Sequence, residues 1–167
     1  MNRALFLDRD GVINVDRGYT FLPGDFVFRE GIFDLCRAAQ QKAYRLIVVT
    51  NQSGIARGYY GHNEVAGLHR YMARRFLSEQ IVLDAIYYCP HHPEFSGKCL
   101  CRKPGSLMPE KGMARWAIDA GQSFLIGDSG RDIAAGKAVG CKTIGIGPDA
   151  AGADHSVQAL REIVAFL

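Results

Sequence analysis

The sequence has no long hydrophobic run, and nothing in it approaches the roughly 20 apolar residues that a membrane-spanning helix requires. No secretory leader is expected either, because the apolar stretch Ala4–Leu7 before charged Asp8, Arg9 and Asp10 is too short for a signal-peptide core. There is no block of like charge, no low-complexity tract, no internal repeat and no linker. The formal charge of +3 comes from 20 Lys and Arg against 17 Asp and Glu, scattered along the chain rather than gathered on one face. These absences argue against a membrane protein and against a nucleic-acid partner. The expectation is a soluble cytoplasmic protein.

The 167 residues are 48% hydrophobic and 22% charged. A chain of this length buries roughly 70% of its unfolded surface, so one domain over 1–167 is expected. Short apolar runs alternate with helical patterns, which predicts an α/β fold with a parallel sheet. Strands are expected at Ala4–Leu7, Arg45–Thr50, Asp84–Tyr88, Ser123–Ile126 and Lys142–Ile146. Helices are expected over Gly31–Ala43 (Ile32, Leu35, Cys36 and Ala39 inward) and His62–Glu79 (Val65, Leu68, Met72 and Phe76 inward). Further helices are expected from Pro109 to Gly121 (Met113, Trp116, Ala117 and Ala120 inward), over Asp132–Val139, and at the end over Ser156–Phe166. Asn14–Phe28 is a long irregular stretch, a feature that more often serves function than idles.

Open parallel sheets bind ligands beyond the carboxyl ends of their strands, and the polar clusters of this chain fall there. Asp8-Arg9-Asp10-Gly11 follows the first strand, Thr50-Asn51-Gln52-Ser53-Gly54 the second, and Gly127-Asp128-Ser129-Gly130-Arg131-Asp132 a later one, while Lys103 precedes a helix. Each piece alone is also an ordinary turn or cap. Together they suit phosphoryl transfer. A carboxylate attacks phosphorus only when the phosphate charge is neutralised, which calls for a hard cation on oxygen ligands. Asp8, the backbone carbonyl of Asp10 and Asp128 would suit Mg²⁺. Asp8 is then the nucleophile and Asp10 the general acid/base, with Thr50 and Lys103 holding phosphoryl oxygens.

Of five cysteines, Cys36 and Cys141 stand alone and read as buried small hydrophobes. Cys89, Cys99 and Cys101 share one stretch with His91 and His92, a grouping that points to metal rather than disulfides. Three thiolates and one imidazole make the closed tetrahedral set of a structural Zn²⁺ site, with His92 a possible substitute for His91.

The runs Phe6–Val12 and Val49–Gly54, with Lys103, Gly127-Asp128 and Asp132, resemble the four motifs of the haloacid dehalogenase superfamily. The resemblance covers nearly the whole chain and implies a phospho-aspartyl enzyme on a Rossmann-like core, with Mg²⁺ and with Asp132 as a metal-orienting carboxylate. Val12 stands where many members carry Thr. The loop Tyr87–Pro93 leading to Cys101-Arg102-Lys103-Pro104, with Asn14–Tyr19 and Asn51–Gly58, is similar to the D-glycero-D-manno-heptose 1,7-bisphosphate 7-phosphatases. Histidinol-phosphate phosphatase domains share the general pattern.

These relatives are capless, with a zinc loop, here 89–101, beside the active site. The resemblance implies zinc on Cys89, His91, Cys99 and Cys101, and Arg102 on the non-reacting phosphate of a small phosphorylated sugar. Asn51, Gln52, Ser53, Arg57, Asp16 and Tyr19 would line the substrate. It implies a place in ADP- or GDP-heptose precursor synthesis for surface lipopolysaccharide, and small capless members are often monomers. A histidinol-phosphate phosphatase, another sugar or metabolite phosphatase, and an idle zinc-stabilised binding domain are the alternatives. The last would be marked by loss of a catalytic carboxylate, and Asp8, Asp10 and Asp128 are all present.

Overall fold

A computed structural model describes residues 1–167. In chain order its elements are β1 (Arg3–Leu7), α1 (Ile32–Gln41), β2 (Tyr44–Asn51), α2 (His62–Ser78), β3 (Ala85–Cys89) and α3 (Pro93–Ser96). They continue with α4 (Leu107–Trp116), β4 (Phe124–Gly127), α5 (Gly130–Ala138), β5 (Lys142–Ile146) and β6 (His155–Val157). The six strands form one sheet in the order β3-β2-β1-β4-β5-β6, with every pairing parallel. β1 is central. The chain winds outward from it to β3, then returns to its other side at β4, so a switch point lies between β1 and β4.

Both faces of the sheet are covered, and the strands alternate between two cores. Leu5 and Leu7 of β1, Leu46 and Val48 of β2, and Phe124 and Ile126 of β4 face a core shared with α1 and α2. Ala4, Phe6, Ile47, Val49 and Leu125 face the other core, against α4 and Cys141. Each fully buried Leu, Ile or Phe contributes about 1.5–3 kcal/mol, so a one-residue slip of a central strand exchanges both cores at once. The inward stripes expected for α1 and α2 are all fully buried. No helix is long and apolar enough to cross a membrane.

The structure corrects two stretches. The helix expected over Pro109–Gly121 instead runs from Leu107 to Trp116 and buries Met108, Pro109 and Gly112, while Ala117 is exposed. Pro109 sits in the first turn, where its missing N–H costs nothing. The helix ends at Ala117, in the left-handed region at φ 47°, because Asn2 takes over the backbone there. Asn2 N donates to Ala117 O at 2.9 Å, and Asp119 N donates to Asn2 O at 2.7 Å.

The expected terminal helix over Ser156–Phe166 is a sixth strand, β6, followed by a 3-10 turn at Leu160–Phe166. Asp154 holds that strand in place by accepting from Thr143 N and Thr143 Oγ1, both at 2.8 Å. Buried Val157, Leu160 and Ile163 recur every three residues, a spacing that imitates a helix.

Candidate active site

The carboxyl ends of β1, β2 and β4 open into a cavity of about 400 Å³. It is lined by Asp8, Asp10, Asp16, Tyr19, Asn51, Gln52, Ser53, Arg57, Arg102, Lys103, Asp128 and Asp132, all expected from the sequence. Gly18, within the loop expected to line the substrate, and Ser129 and Arg131, within the polar cluster after a later strand, complete the wall together with Tyr60 and His92, which the sequence does not place there. Thr50 is absent from the lining. It is 1% exposed, and its Oγ1 accepts from Gln52 Nε2 at 3.0 Å.

Lys103 is buried at the floor. Its Nζ lies 2.8 Å from Asp8 Oδ1 and 2.6 Å from Asp132 Oδ1, and donates to Val49 O at 2.8 Å. Burial works against this ammonium, but Asp8 and Asp132 outweigh it and raise its pKa. Asp132 is also buried, yet Lys103 and its bonds from Ser129 hold it below the usual carboxylate value. Asp132 Oδ2 accepts from Ser129 N at 3.1 Å and Ser129 Oγ at 2.6 Å, which caps α5. Asn51 fixes the lysine's backbone from both sides: Lys103 N donates to its Oδ1 at 3.0 Å, and its Nδ2 donates to Lys103 O at 3.1 Å.

Asp8 is pushed up to about 7, chiefly by burial, with Lys103 opposing and Asp132 adding like-charge repulsion. Asp128 is pushed up to about 6 by burial and by Asp132. The carboxylate oxygens of Asp8, Asp128 and Asp132 lie within 4.8 Å of one another. Three desolvated carboxylates with a single ammonium between them leave uncompensated negative charge, which suits a hard divalent cation on Asp8 and Asp128.

Two glycines make that closeness possible. A Cβ on Gly11, at φ 88°, would meet Asp128 Oδ2 at 1.8 Å, and one on Gly127 would meet Asp132 Cβ at 2.0 Å.

The side chain of Asp10 turns away from this cluster. It accepts from Gln52 Nε2 at 2.9 Å, Asn14 Nδ2 at 3.0 Å and Arg9 Nη2 at 3.0 Å. Gln52 is oriented for this by Tyr60, whose hydroxyl donates to Gln52 Oε1 at 2.8 Å. The mouth of the cavity is basic. Arg57, Arg102 and Arg131 all face it, and none forms an ion pair. Burial, then repulsion from Arg131 and more weakly from Arg57, draws the Arg102 pKa down.

Beside the mouth, Cys89, His91, Cys99 and Cys101 converge. Sγ of Cys89 lies 3.0 Å from that of Cys101 and 3.6 Å from that of Cys99. His91 Nδ1 is 3.6 Å from Cys89 and 3.4 Å from Cys101. Ligands held at about 2.3 Å around a tetrahedral centre stand roughly 3.7 Å apart, so the set has the size for Zn²⁺. All the cysteines are free. His92, the possible substitute, stands outside the cluster, with Nε2 3.2 Å from Arg57 Nη2. The loop also carries Arg102, whose Nη1 donates to His91 O at 3.2 Å. Cys36 and Cys141 lie apart, and burial pushes both thiols up, Cys141 to about 12, so they stay protonated.

Among proteins of known function, a D-glycero-β-D-manno-heptose-1,7-bisphosphate 7-phosphatase of Haemophilus ducreyi is 43% identical over 146 residues, 84% of this chain and 80% of that one. The D-glycero-α-D-manno-heptose-1,7-bisphosphate 7-phosphatase of Burkholderia mallei is 41% identical over 177 residues, covering 99% and 94%. This chain belongs to the heptose-bisphosphate phosphatase family. The family sits among the haloacid dehalogenase-like hydrolases, whose HAD-hydrolase-like model matches residues 100–162. A crystal structure of D,D-heptose 1,7-bisphosphate phosphatase from B. bronchiseptica, complexed with magnesium and phosphate, superposes with a TM-score of 0.87. It has 28% identity and coverage of 98% and 97% of the two chains. The chain is thus a phosphoric monoester hydrolase of the haloacid dehalogenase type.

The lining residues differ in how visible they are in the sequence. Arg131 stands in a polar cluster after a strand, at the start of a helix, which is a readable signal. Tyr60 and His92 carry no such signal for the cavity, because only the folding of their loops brings them to it.

Proposed function

We propose that this protein hydrolyses the 7-phosphate of D-glycero-D-manno-heptose 1,7-bisphosphate, using Asp8 as nucleophile and Mg²⁺ as cofactor. The observation that carries this reading is the polarity of the cavity. A carboxylate with its lysine is buried in the wall, and three arginines without ion-pair partners make up a more exposed part of it. A monoester needs only the first. A second phosphate explains the second, since guanidinium groups bind phosphate through paired, charge-assisted bonds. The names of the relatives and the magnesium and phosphate of the B. bronchiseptica enzyme support the same substrate and cofactor.

Asp8 Oδ attacks phosphorus in line, the P–O bond to the sugar breaks, and Asp10 gives its proton to the departing oxygen. Asp10 then takes a proton from the water that hydrolyses the aspartyl phosphate, which releases phosphate and regenerates Asp8. Lys103 holds positive charge on the phosphoryl oxygens throughout. Mg²⁺, on Asp8, Asp128 and the Asp10 carbonyl, would neutralise the phosphate charge that otherwise repels the nucleophile. Asp132 serves by fixing Lys103. Zn²⁺ on Cys89, His91, Cys99 and Cys101 would hold the loop that presents Arg102. We place the enzyme in the cytoplasm as a monomer, in the route to nucleotide-activated heptose for surface lipopolysaccharide.

The test is phosphate release from both anomers of the heptose bisphosphate, beside histidinol phosphate and an aryl phosphate, with Mg²⁺ and with EDTA. The expected result is fast, Mg²⁺-dependent turnover of one heptose anomer. Equal slow hydrolysis of all four esters would overturn the heptose assignment. A preference for histidinol phosphate would favour Asp16 at the cavity as an amine partner over the three arginines as phosphate partners.

A further inference from the structure

The largest fully buried side chain in the protein is charged: Arg9, at 0% exposure. A buried guanidinium needs an anion and a full set of acceptors, and removal of either leaves an uncompensated group. Asp10 is its only carboxylate partner, through Nη2 to Oδ2 at 3.0 Å, with Nε to Oδ1 at 3.3 Å. Nη2 also donates to Thr20 O at 2.7 Å. The remaining nitrogen, Nη1, lies 3.2 Å from Nε2 of His69. His69 sits on α2, 7% exposed, and does not line the cavity.

Arginine has no lone pair to offer, so His69 Nε2 must be the acceptor, and the ring must be neutral with its proton on Nδ1. Burial and the neighbouring Arg9 favour that form by bringing His69 down to about 3. The guanidinium is rigid and planar, so fixing one nitrogen on His69 and another on Thr20 O fixes the edge that meets Asp10. Asn14 and Gln52 are neutral amides and hold the same carboxylate less firmly.

We propose that Arg9 is a positioning residue for Asp10, and that His69, outside the cavity, sets the Asp10 rotamer through it. This rests on the reading of Asp10 as general acid/base. A carboxyl group misplaced by about 1 Å loses much of its rate advantage in proton transfer. The loss falls on reactions that require protonation of the leaving oxygen. A sugar alkoxide requires it, whereas a nitrophenolate departs unprotonated.

The test uses the Mg²⁺- and Zn²⁺-replete enzyme and compares kcat/KM for the heptose bisphosphate with kcat/KM for p-nitrophenyl phosphate. That parameter covers only the steps up to departure of the alcohol, and its ratio within one variant cancels the folded fraction. In His69→Leu the sugar value should fall about tenfold and the aryl value less than about twofold, a part of the roughly 10²–10⁴-fold that a placed acid contributes. His69→Gln, which can accept from Arg9, should restore the ratio. Equal losses on both substrates in His69→Leu, or a Gln variant no better than Leu, would overturn the link through His69. Asp10→Asn separates the two claims: equal loss on both esters there would overturn the acid/base reading itself.

Discussion

The chain holds two clusters of potential metal ligands, and they are built in opposite ways. The oxygen cluster draws Asp8, Asp128 and Asp132 from distant parts of the chain and joins them by sheet topology. The sulfur cluster draws all its ligands from residues 89–101, and topology contributes only Cys89 at the end of β3. The first has an internal counter-charge: Lys103 bridges Asp8 and Asp132, and Ser129 caps Asp132. The second has none, because three thiols and an imidazole that approach to 3.0–3.6 Å have only weak hydrogen bonds to exchange. The oxygen site is therefore a product of the fold and should survive loss of its ion. The loop should depend on its ion for its shape.

The largest effect should come from the heart of the oxygen site. Asp8→Asn keeps the volume and removes the nucleophile, so kcat should fall by more than about 10³-fold while the melting temperature holds or rises. A variant that keeps near-wild-type Mg²⁺-dependent turnover on the heptose bisphosphate would remove Asp8 from the chemistry.

Next is the sulfur cluster. Cys101→Ser, or treatment with a thiophilic chelator, should cost about 3–5 kcal/mol and lower the melting temperature by about 10 °C. Removal of Mg²⁺ by a gentle carboxylate chelator should stop turnover and leave melting nearly unchanged. Equal melting shifts for the two treatments would break the contrast between the clusters.

A smaller effect is expected where the loop meets the substrate. Arg102→Ala should raise KM for the bisphosphate by about 10–100-fold, the worth of a charge-assisted bond, and barely alter KM for the heptose 7-monophosphate. Equal changes for both would move the second phosphate away from Arg102.

A further contrast is in pH. Asp8 titrates near 7 in the folded, metal-free chain against an ordinary 3.8, so the native state binds more protons across that window. Its contribution to stability is therefore present at low pH and declines as pH rises from about 4 to about 7. Metal-free Asp8→Asn should lack that decline, and melting curves at pH 5 and pH 8 for the two proteins measure it. Parallel pH dependence in both would show that burial of Asp8 is not the cause.

The sequence by itself determined what depends on local pattern and on residue chemistry. Short apolar runs identified five of the six strands, and the stripes of α1 and α2 were readable residue by residue. Carboxylates, lysine and cysteines have few alternative uses when they stand at strand ends or crowd one loop, so the two clusters were legible as well. Tertiary structure decided what depends on distant partners. Asn2 ends α4 at Ala117, and Asp154 turns the apparent terminal helix into β6 beside Thr143. The same holds inside the site. Thr50 Oγ1 accepts from Gln52, a bond the sequence does not announce, while Arg9, Tyr60 and His69 form the frame of Asp10. A side chain's residue type states what bonds it can make. Only the packed chain brings the partner that uses them, because burial makes each unpaired polar group too costly to leave alone.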